Sequence, residues 1–405
     1  MTVLTQAPHC VREGVDEPRR PEPGGLVKFH APEIVFGHGS LGEAGFAAAR
    51  LGARRPFVVT DPGVLEAGWP DELVGHLREA RMRPTVWSAV TPNPKDHEVR
   101  AAYDAYVAAG CDVIIGLGGG SVIDAAKGVA ILTGGAGDIL DFAGVDRVSF
   151  PIPPLLMIPS TSGTGADVSQ FCIVTDTDRS VKITIMGRAL VPDISVTDPR
   201  LLVTMPEDLN AATGLDALTH GIESFVSLAH NPLADGYALG AVGLVCRHLR
   251  STMTSPRDLE PRGKMAQASL QAGLAFTNAI LGATHAMSHQ VGGLLDAPHG
   301  VVNGVLLPHV IRYNARATPE RFVDLAGAAG IDVDGVDGQE AAELLAGHVR
   351  RLADDVGVPT GLGELGVTAE DLPVLARTTL DDACLSTNPR EAGEDDVLGL
   401  FRDAL

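Results

Sequence analysis

The sequence predicts an α/β N-terminal half on a mostly parallel sheet, followed by an all-helical C-terminal half. Two observations predict this. Short β-rich runs alternate with helical stretches from Val27 to about Pro199, and after about Leu202 the strand pattern stops. Strand–helix alternation implies a parallel sheet covered on both faces. "PFVVTD" (56–61) reads as a strand, "DELVGHLREAR" (71–81) as a helix and "PTVWSAV" (84–90) as a strand. "DHEVRAAYDAYVAAG" (96–110) is a helix ending in glycine, and "CDVIIGLGGGS" (111–121) is a buried strand running into a glycine cluster. A helix over 121–133 and a strand in 154–161 follow, then a hairpin over 171–186 that turns at Asp176 to Arg179. Stretches 206–227, 232–250, 261–280, 319–330, 339–357 and 369–383 carry helical periodicity. The expected division is a leader at 1–26, an α/β domain at 27–201 and a helical domain at 202–405.

At 405 residues the chain is long enough for two cores. Hydrophobic residues at 45% and charged residues at 20% indicate a globular chain. A net charge of −20 argues against nucleic acid and anionic membranes, which select basic patches. The five cysteines form no CxxC, so a disulfide framework is not expected and a reducing, cytoplasmic setting fits. No apolar run reaches the roughly eighteen residues of a membrane span. The first 25 residues lack a signal-peptide core, and their Pro, Glu, Gly and Arg content suggests a flexible leader.

Chemistry concentrates in two regions. "GLGGGSVIDAAK" places Gly118, Gly119 and Gly120 between a strand and a helix. There backbone N–H groups and the helix dipole can receive an anion such as a pyrophosphate. A tight βα turn is the plainer reading of the same glycines. Asp61, at the end of the 56–61 strand, can accept from a ribose 2′-hydroxyl and repel a 2′-phosphate, or it can simply cap a turn. The hydroxyl-rich "PSTSGTGADVSQ" (159–170) offers Ser160, Thr161, Ser162 and Thr164 to phosphate or ribose, or is an ordinary polar loop.

The second region is "THAMSHQVGGLLDAPHG" (284–300). His285 and His289 share a helical face, and His299 follows in a turn-like "APHG". Upstream, "GLDALTHGIE" sets Asp216 and His220 at the same i, i+4 spacing. Two helices and a loop can thus converge Asp216, His220 and two of the three later histidines on one ion. One carboxylate with imidazoles suits Fe2+ or Zn2+ better than Mg2+ or Ca2+. Taken singly, each histidine reads as a core or surface residue.

From Val27 to Leu405 the chain resembles the iron-dependent, or group III, alcohol dehydrogenases. The marks are "GGGSVIDAAK", "PSTSGTGADVSQ", "GLDALTHGIE", "HAMSHQVGGLLDAPHG" and "DACLSTNPR" (382–390), in order and separation. The resemblance implies a Rossmann-like dinucleotide-binding domain followed by an all-α metal-binding domain. It implies metal ligation by Asp216, His220, His285 and His299, with His289 a proton relay near the nicotinamide. It further implies dinucleotide contacts at Asp61, Asn93, Gly118, Gly119, Gly120, Ser121, Asp124, Thr161, Ser162, Thr164 and Lys182. The implied cofactors are Fe2+, with Zn2+ or another divalent ion as substitute, and NAD(H) ahead of NADP(H). Expected partners are a small alcohol or aldehyde and further copies of the chain, in a homodimer or larger assembly. Ala166, Asp167, Ser169, Ile280 and Gly293 to Leu295 depart from the family pattern near the expected pocket.

The implied reaction interconverts a small primary alcohol and its aldehyde by hydride transfer. The alternatives are a reductase of an anionic aldehyde such as phosphonoacetaldehyde, a regulatory or sensory protein that keeps the fold, and a metal-independent relative of the maleylacetate reductase type. The Asp216/His220 pair argues against the last.

Overall fold

The computed structural model describes residues 27–135, 137–179 and 181–405. The expected leader, 1–26, lies outside the described residues. Nine strands are present among those described: β1 (Glu33–Phe36), β2 (Pro56–Val59), β3 (Thr85–Trp87), β4 (Val113–Gly118), β5 (Gly144–Val145), β6 (Leu155–Pro159), β7 (Phe171–Asp176), β8 (Val181–Met186) and β9 (Ile194–Thr197). Six of them form one sheet in the order β1-β9-β6-β4-β2-β3, with every neighbouring pair parallel. β7 and β8 form the expected hairpin, and β5 adds to its edge. Helices α1 (Ala44–Arg50), α2 (Pro62–Glu66), α3 (Trp69–Glu79), α4 (Asp96–Ala109) and α5 (Gly120–Gly134) connect the early strands.

The near-continuous apolar runs of β2, β4 and β6 follow from helices on both faces. Successive side chains point to opposite faces. Phe57, Ile114 and Met157 therefore pack with residues of α4 and α5, while Val58, Ile115 and Leu156 pack with residues of α1 and α3. The chain reverses its progression across the sheet between β2 and β4. In open parallel sheets ligands bind beyond the carboxyl ends of strands at such a switch point. Asp61 and Gly118–Gly120 occupy those ends.

The expected division at 201/202 falls within a 3-10 turn, Pro199–Thr204. Beyond it lie α6 (Glu207–Val226), α7 (Pro232–Thr254), α8 (Leu259–Ala279), α9 (Ala283–Leu295), α10 (His299–Asn314), α11 (Pro319–Ala328), α12 (Gly338–Asp355), α13 (Leu372–Thr379) and α14 (Glu394–Asp403), around a core of their own. Two of these expectations need correction. His299 is the first residue of a helix, not part of a turn. Pro298 stands at the N-cap, and Gly300 lies so close to the Ala212 backbone that a Cβ would collide with its carbonyl. "APHG" is thus a helix start pressed against α6. The 84–90 strand is shorter than expected, at Thr85–Trp87. No described helix is long and apolar enough to cross a membrane.

Candidate active site

A cavity of about 1530 Å3 separates the sheet half from the helical half. On the sheet side, β4 ends at Gly118 and α5 begins at Gly120. A Cβ on Gly118 would lie 2.5 Å from Val122, and one on Gly120 would lie 2.8 Å from Thr164. Gly118 therefore lets the strand end pack against Val122 of α5, and Gly120 lets the loop after β6 close against the first turn of that helix, whose N–H groups have no partners within the helix. Thr161 Oγ1 and Ser162 Oγ are buried with no hydrogen-bond partner among the described residues. Unpaired buried hydroxyls are costly unless a ligand satisfies them. Of the two, Thr161 lines the cavity and Ser162 does not; an anion-receiving helix end beside the orphan Thr161 hydroxyl fits a pyrophosphate.

Asp61 caps α2, its Oδ1 accepting from Val64 N–H at 2.9 Å, and it also lines the cavity. The cap read from the sequence is thus present, at a residue on the cavity wall. Asn93, at φ 55°, donates its N–H to Ser121 Oγ at 3.1 Å. Its side-chain oxygen accepts from Lys182 Nζ at 2.8 Å. Asp124 also lines the cavity, and burial pushes its carboxyl up to about 7, with Lys127 and Lys182 opposing.

On the helical side three imidazoles face one carboxylate oxygen. Asp216 Oδ1 lies 3.7 Å from His220 Nε2, 3.6 Å from His285 Nε2 and 3.8 Å from His299 Nε2. Ligand atoms of Asp216, His220 and His285 lie within 4.8 Å of one another, and all three residues are buried. These separations are too long for hydrogen bonds. They are close to the ligand–ligand spacing of about 3.4 Å around an ion with bonds of about 2.1 Å. Every Nδ1 is engaged elsewhere: His220 with Gly163 O at 3.2 Å, His285 with Glu223 Oε2 at 2.6 Å, His299 with Ser288 Oγ at 3.2 Å. Nδ1 anchoring with Nε2 turned inward is how imidazoles are oriented on metals; Asn303 Nδ2 reaches the same centre, donating to Asp216 Oδ1 at 2.9 Å and lying 3.4 Å from His285 Nε2. The donor set fits a divalent transition ion.

Burial lowers His220 to about 4 against the pull of Asp216, and it holds His299 well below its ordinary value. Both shifts favour the neutral ring that ligation uses. Burial also acts on His285, but Asp216 and Glu223 outweigh it and raise the ring to about 9. Burial would raise Asp216, yet the surrounding imidazoles hold it below the usual carboxylate range.

His289 stands apart from this trio. Its Nδ1 meets Asp382 Oδ2 at 2.9 Å, and its ring stacks on His299 at 5.2 Å. Cys384, in the 3-10 turn Ala383–Thr387, lies beside that pair. Sequence reasoning did not single out Glu223 or Asp382. Glu223 is seven residues beyond Asp216, on the same face of α6, so helical spacing contained the signal. Its carboxylate also accepts from the N–H groups of Gly282, Thr284 and His285, capping α9. Asp382 opens "DACLSTNPR", far away in sequence, and only folding reveals its partner. Of the departures from the family pattern, Ala166 and Ser169 line the cavity, whereas 293–295 do not. Ile280 holds φ 60° and ψ −164°, a backbone that favours glycine.

Comparison with known proteins shows the family. Residues 31–199 match the family model described as "Iron-containing alcohol dehydrogenase", and 210–405 match "Fe-containing alcohol dehydrogenase family, C-terminal". The chain is 41% identical over 382 residues to a 1,3-propanediol dehydrogenase of Citrobacter freundii, covering 94% of this chain and 99% of that protein. It is 35% identical to an NAD-dependent methanol dehydrogenase of Bacillus methanolicus, covering 93% and 99%. A crystal structure of a 1,3-propanediol oxidoreductase superposes with a TM-score of 0.91 at 39% identity, covering 94% of this chain and all of that one. With both halves matched and the fold shared along nearly the whole described chain, the protein belongs to the iron-containing alcohol dehydrogenase family.

Proposed function

We propose that the protein is an NAD(H)- and metal-dependent oxidoreductase that interconverts a small primary alcohol and its aldehyde. The observation that carries this reading is the convergence of three imidazole Nε2 atoms on Asp216 Oδ1, in the same cavity as the glycine cradle. Asp216, His220, His285 and His299 would hold the ion, with Fe2+ expected and Zn2+ a chemical alternative. Gly119, Gly120, Ser121, Thr161, Ser162 and Thr164 would hold the pyrophosphate and ribose, with Asn93, Asp124 and Lys182 toward the nicotinamide end. Asp61 would select NAD(H) over NADP(H). When bound, the ion supplies Lewis acidity and the nicotinamide gives or takes the hydride. The chain does the rest. Glu223, Gly163 and Ser288 fix the ring planes, and Phe276 and Leu281 give the cavity apolar wall. Asp382 holds His289 Nδ1, leaving Nε2 as the site that passes a proton. A homodimer or larger assembly, possible through the edge of β1, belongs to the proposal.

The test is iron content of protein purified without oxygen, together with NADH-coupled turnover of wild type and His285→Ala. Alkyl, diol and anionic aldehydes form the substrate panel. Loss of both metal and turnover in the variant is expected. Metal-replete wild type that stays at background on the whole panel would favour the sensory reading. Lys182 lines the cavity, so the anionic arm of the panel has a cation to meet.

A further inference from the structure

Lys127 lies on α5, about two turns beyond the glycine cradle. Its side chain is fully buried. Nζ donates to Ala166 O at 2.7 Å, Ser169 O at 2.7 Å and Phe171 O at 2.8 Å, with Ser169 Oγ at 3.3 Å. Three carbonyls at these distances need three N–H donors, which only the ammonium form has. Among the described residues no carboxylate bonds to it. Asp124 and Asp167 act on it through space, opposing the burial that lowers it to about 8. An isolated buried charge is expensive. A fold that needed only packing here could place a leucine or methionine.

Ala166 O and Ser169 O belong to the returning half of the loop that carries Thr161, Ser162 and Thr164, and Phe171 O opens β7. That loop's outgoing half rests on α5 itself, Thr161 over Gly119 and Thr164 over Gly120. Its middle, Gly163 O, holds His220 Nδ1. One helix thus presents the cradle at its N-terminus and grips the opposing wall two turns later. We propose that Lys127 is a positioning residue for the cofactor: its ammonium draws the 166–171 backbone onto α5 and so holds Thr161 and Thr164, which line the cavity, against the glycine cradle.

This inference rests on the reading of the cavity as a nicotinamide-cofactor site. The experiment measures NADH binding by nicotinamide fluorescence, iron content and the thermal midpoint, for wild type, Lys127→Met and Lys127→Ala. Methionine keeps the length and apolar stem without donors. We expect Lys127→Met to bind NADH about ten- to a hundredfold more weakly, as small misplacements do, while retaining iron. Lys127→Ala removes the atoms that n-propylammonium contains. That cation should restore NADH affinity saturably, and tetramethylammonium, a charge with no N–H, should not. A merely structural lysine would not produce cation-specific recovery of cofactor affinity. Should the methionine variant fail to fold, refolding Lys127→Ala with each cation decides the matter: recovery of NADH binding with propylammonium alone supports the proposal, and equal or no recovery overturns it. A Lys127→Met protein that binds NADH like wild type also overturns it. Wild type that binds no NADH would instead overturn the reading of the cavity.

Discussion

Replacing Glu223 by glutamine tests the centre without touching a proposed ligand. The Glu223 carboxylate, buried in α6, accepts from His285 Nδ1 at 2.6 Å, Thr284 N–H at 2.6 Å, Gly282 N–H at 3.0 Å and His285 N–H at 3.4 Å. Glutamine preserves shape but loses the charge, and its amide group then faces a donor. At least one of these contacts becomes donor against donor. Hydrogen bonds to a charged group are each worth about 1.5–3 kcal/mol, and an unsatisfied buried donor costs a similar amount. The His285 contact is the one that orients a proposed ligand, and losing such partners typically weakens metal binding by about 10–100-fold. That corresponds to about 1.4–2.8 kcal/mol. Anaerobic chelator competition against iron-loaded wild type and Glu223→Gln measures it directly. The thermal midpoint should fall as well, because the N-terminus of α9 loses its cap. A variant that folds and holds iron as tightly as wild type would refute the claim that Glu223 orients His285 for a metal.

His289→Ala should keep its iron while turnover drops by about 10²–10⁴-fold, the usual share of general acid–base work, in a coupled NADH assay. Iron loss in that variant would instead place His289 among the ligands. Asp61→Ser keeps an oxygen for the α2 cap and removes the charge, so the NAD/NADP preference should relax by about tenfold or more, read as a ratio of kcat/KM. Asp198→Asn should lower stability by about 1–3 kcal/mol near neutral pH. Burial would raise Asp198, but Arg200 and the N–H groups of Arg200, Leu41 and Gly39 hold it below its ordinary value. A lowered carboxyl stabilises the fold fully above its unfolded value of about 4, and that contribution disappears as pH falls through the lower folded value. The acid limb of the thermal midpoint against pH should therefore be flatter in the variant, and an unchanged limb would show that this ion pair contributes little.

Much of the site was legible because helical geometry is local. Asp216 with His220, and His285 with His289, share faces by spacing alone. The glycine cluster between an apolar run and a helical pattern marked the cradle for the same reason. What spacing could not separate was His289 from His299. His289 pairs with Asp382, 93 residues away, while His299 is carried to Asp216 by a third helix that "APHG" did not advertise. The last sheet strand, Ile194–Thr197, also escaped the reading. Four residues between prolines carry too little periodicity to stand out.

By itself the sequence determined the two-part architecture, the run of buried parallel strands, the cradle and the cast of metal-competent side chains. Each of these depends on periodicity or on residues within a few positions of one another. Tertiary structure alone decided which ring nitrogens point inward and that Glu223 serves as both helix cap and histidine anchor. It also decided that Lys127 binds three carbonyls across a loop and that the helical half faces the open end of the sheet. Those outcomes depend on distances between residues far apart along the chain, which packing sets and local pattern does not encode.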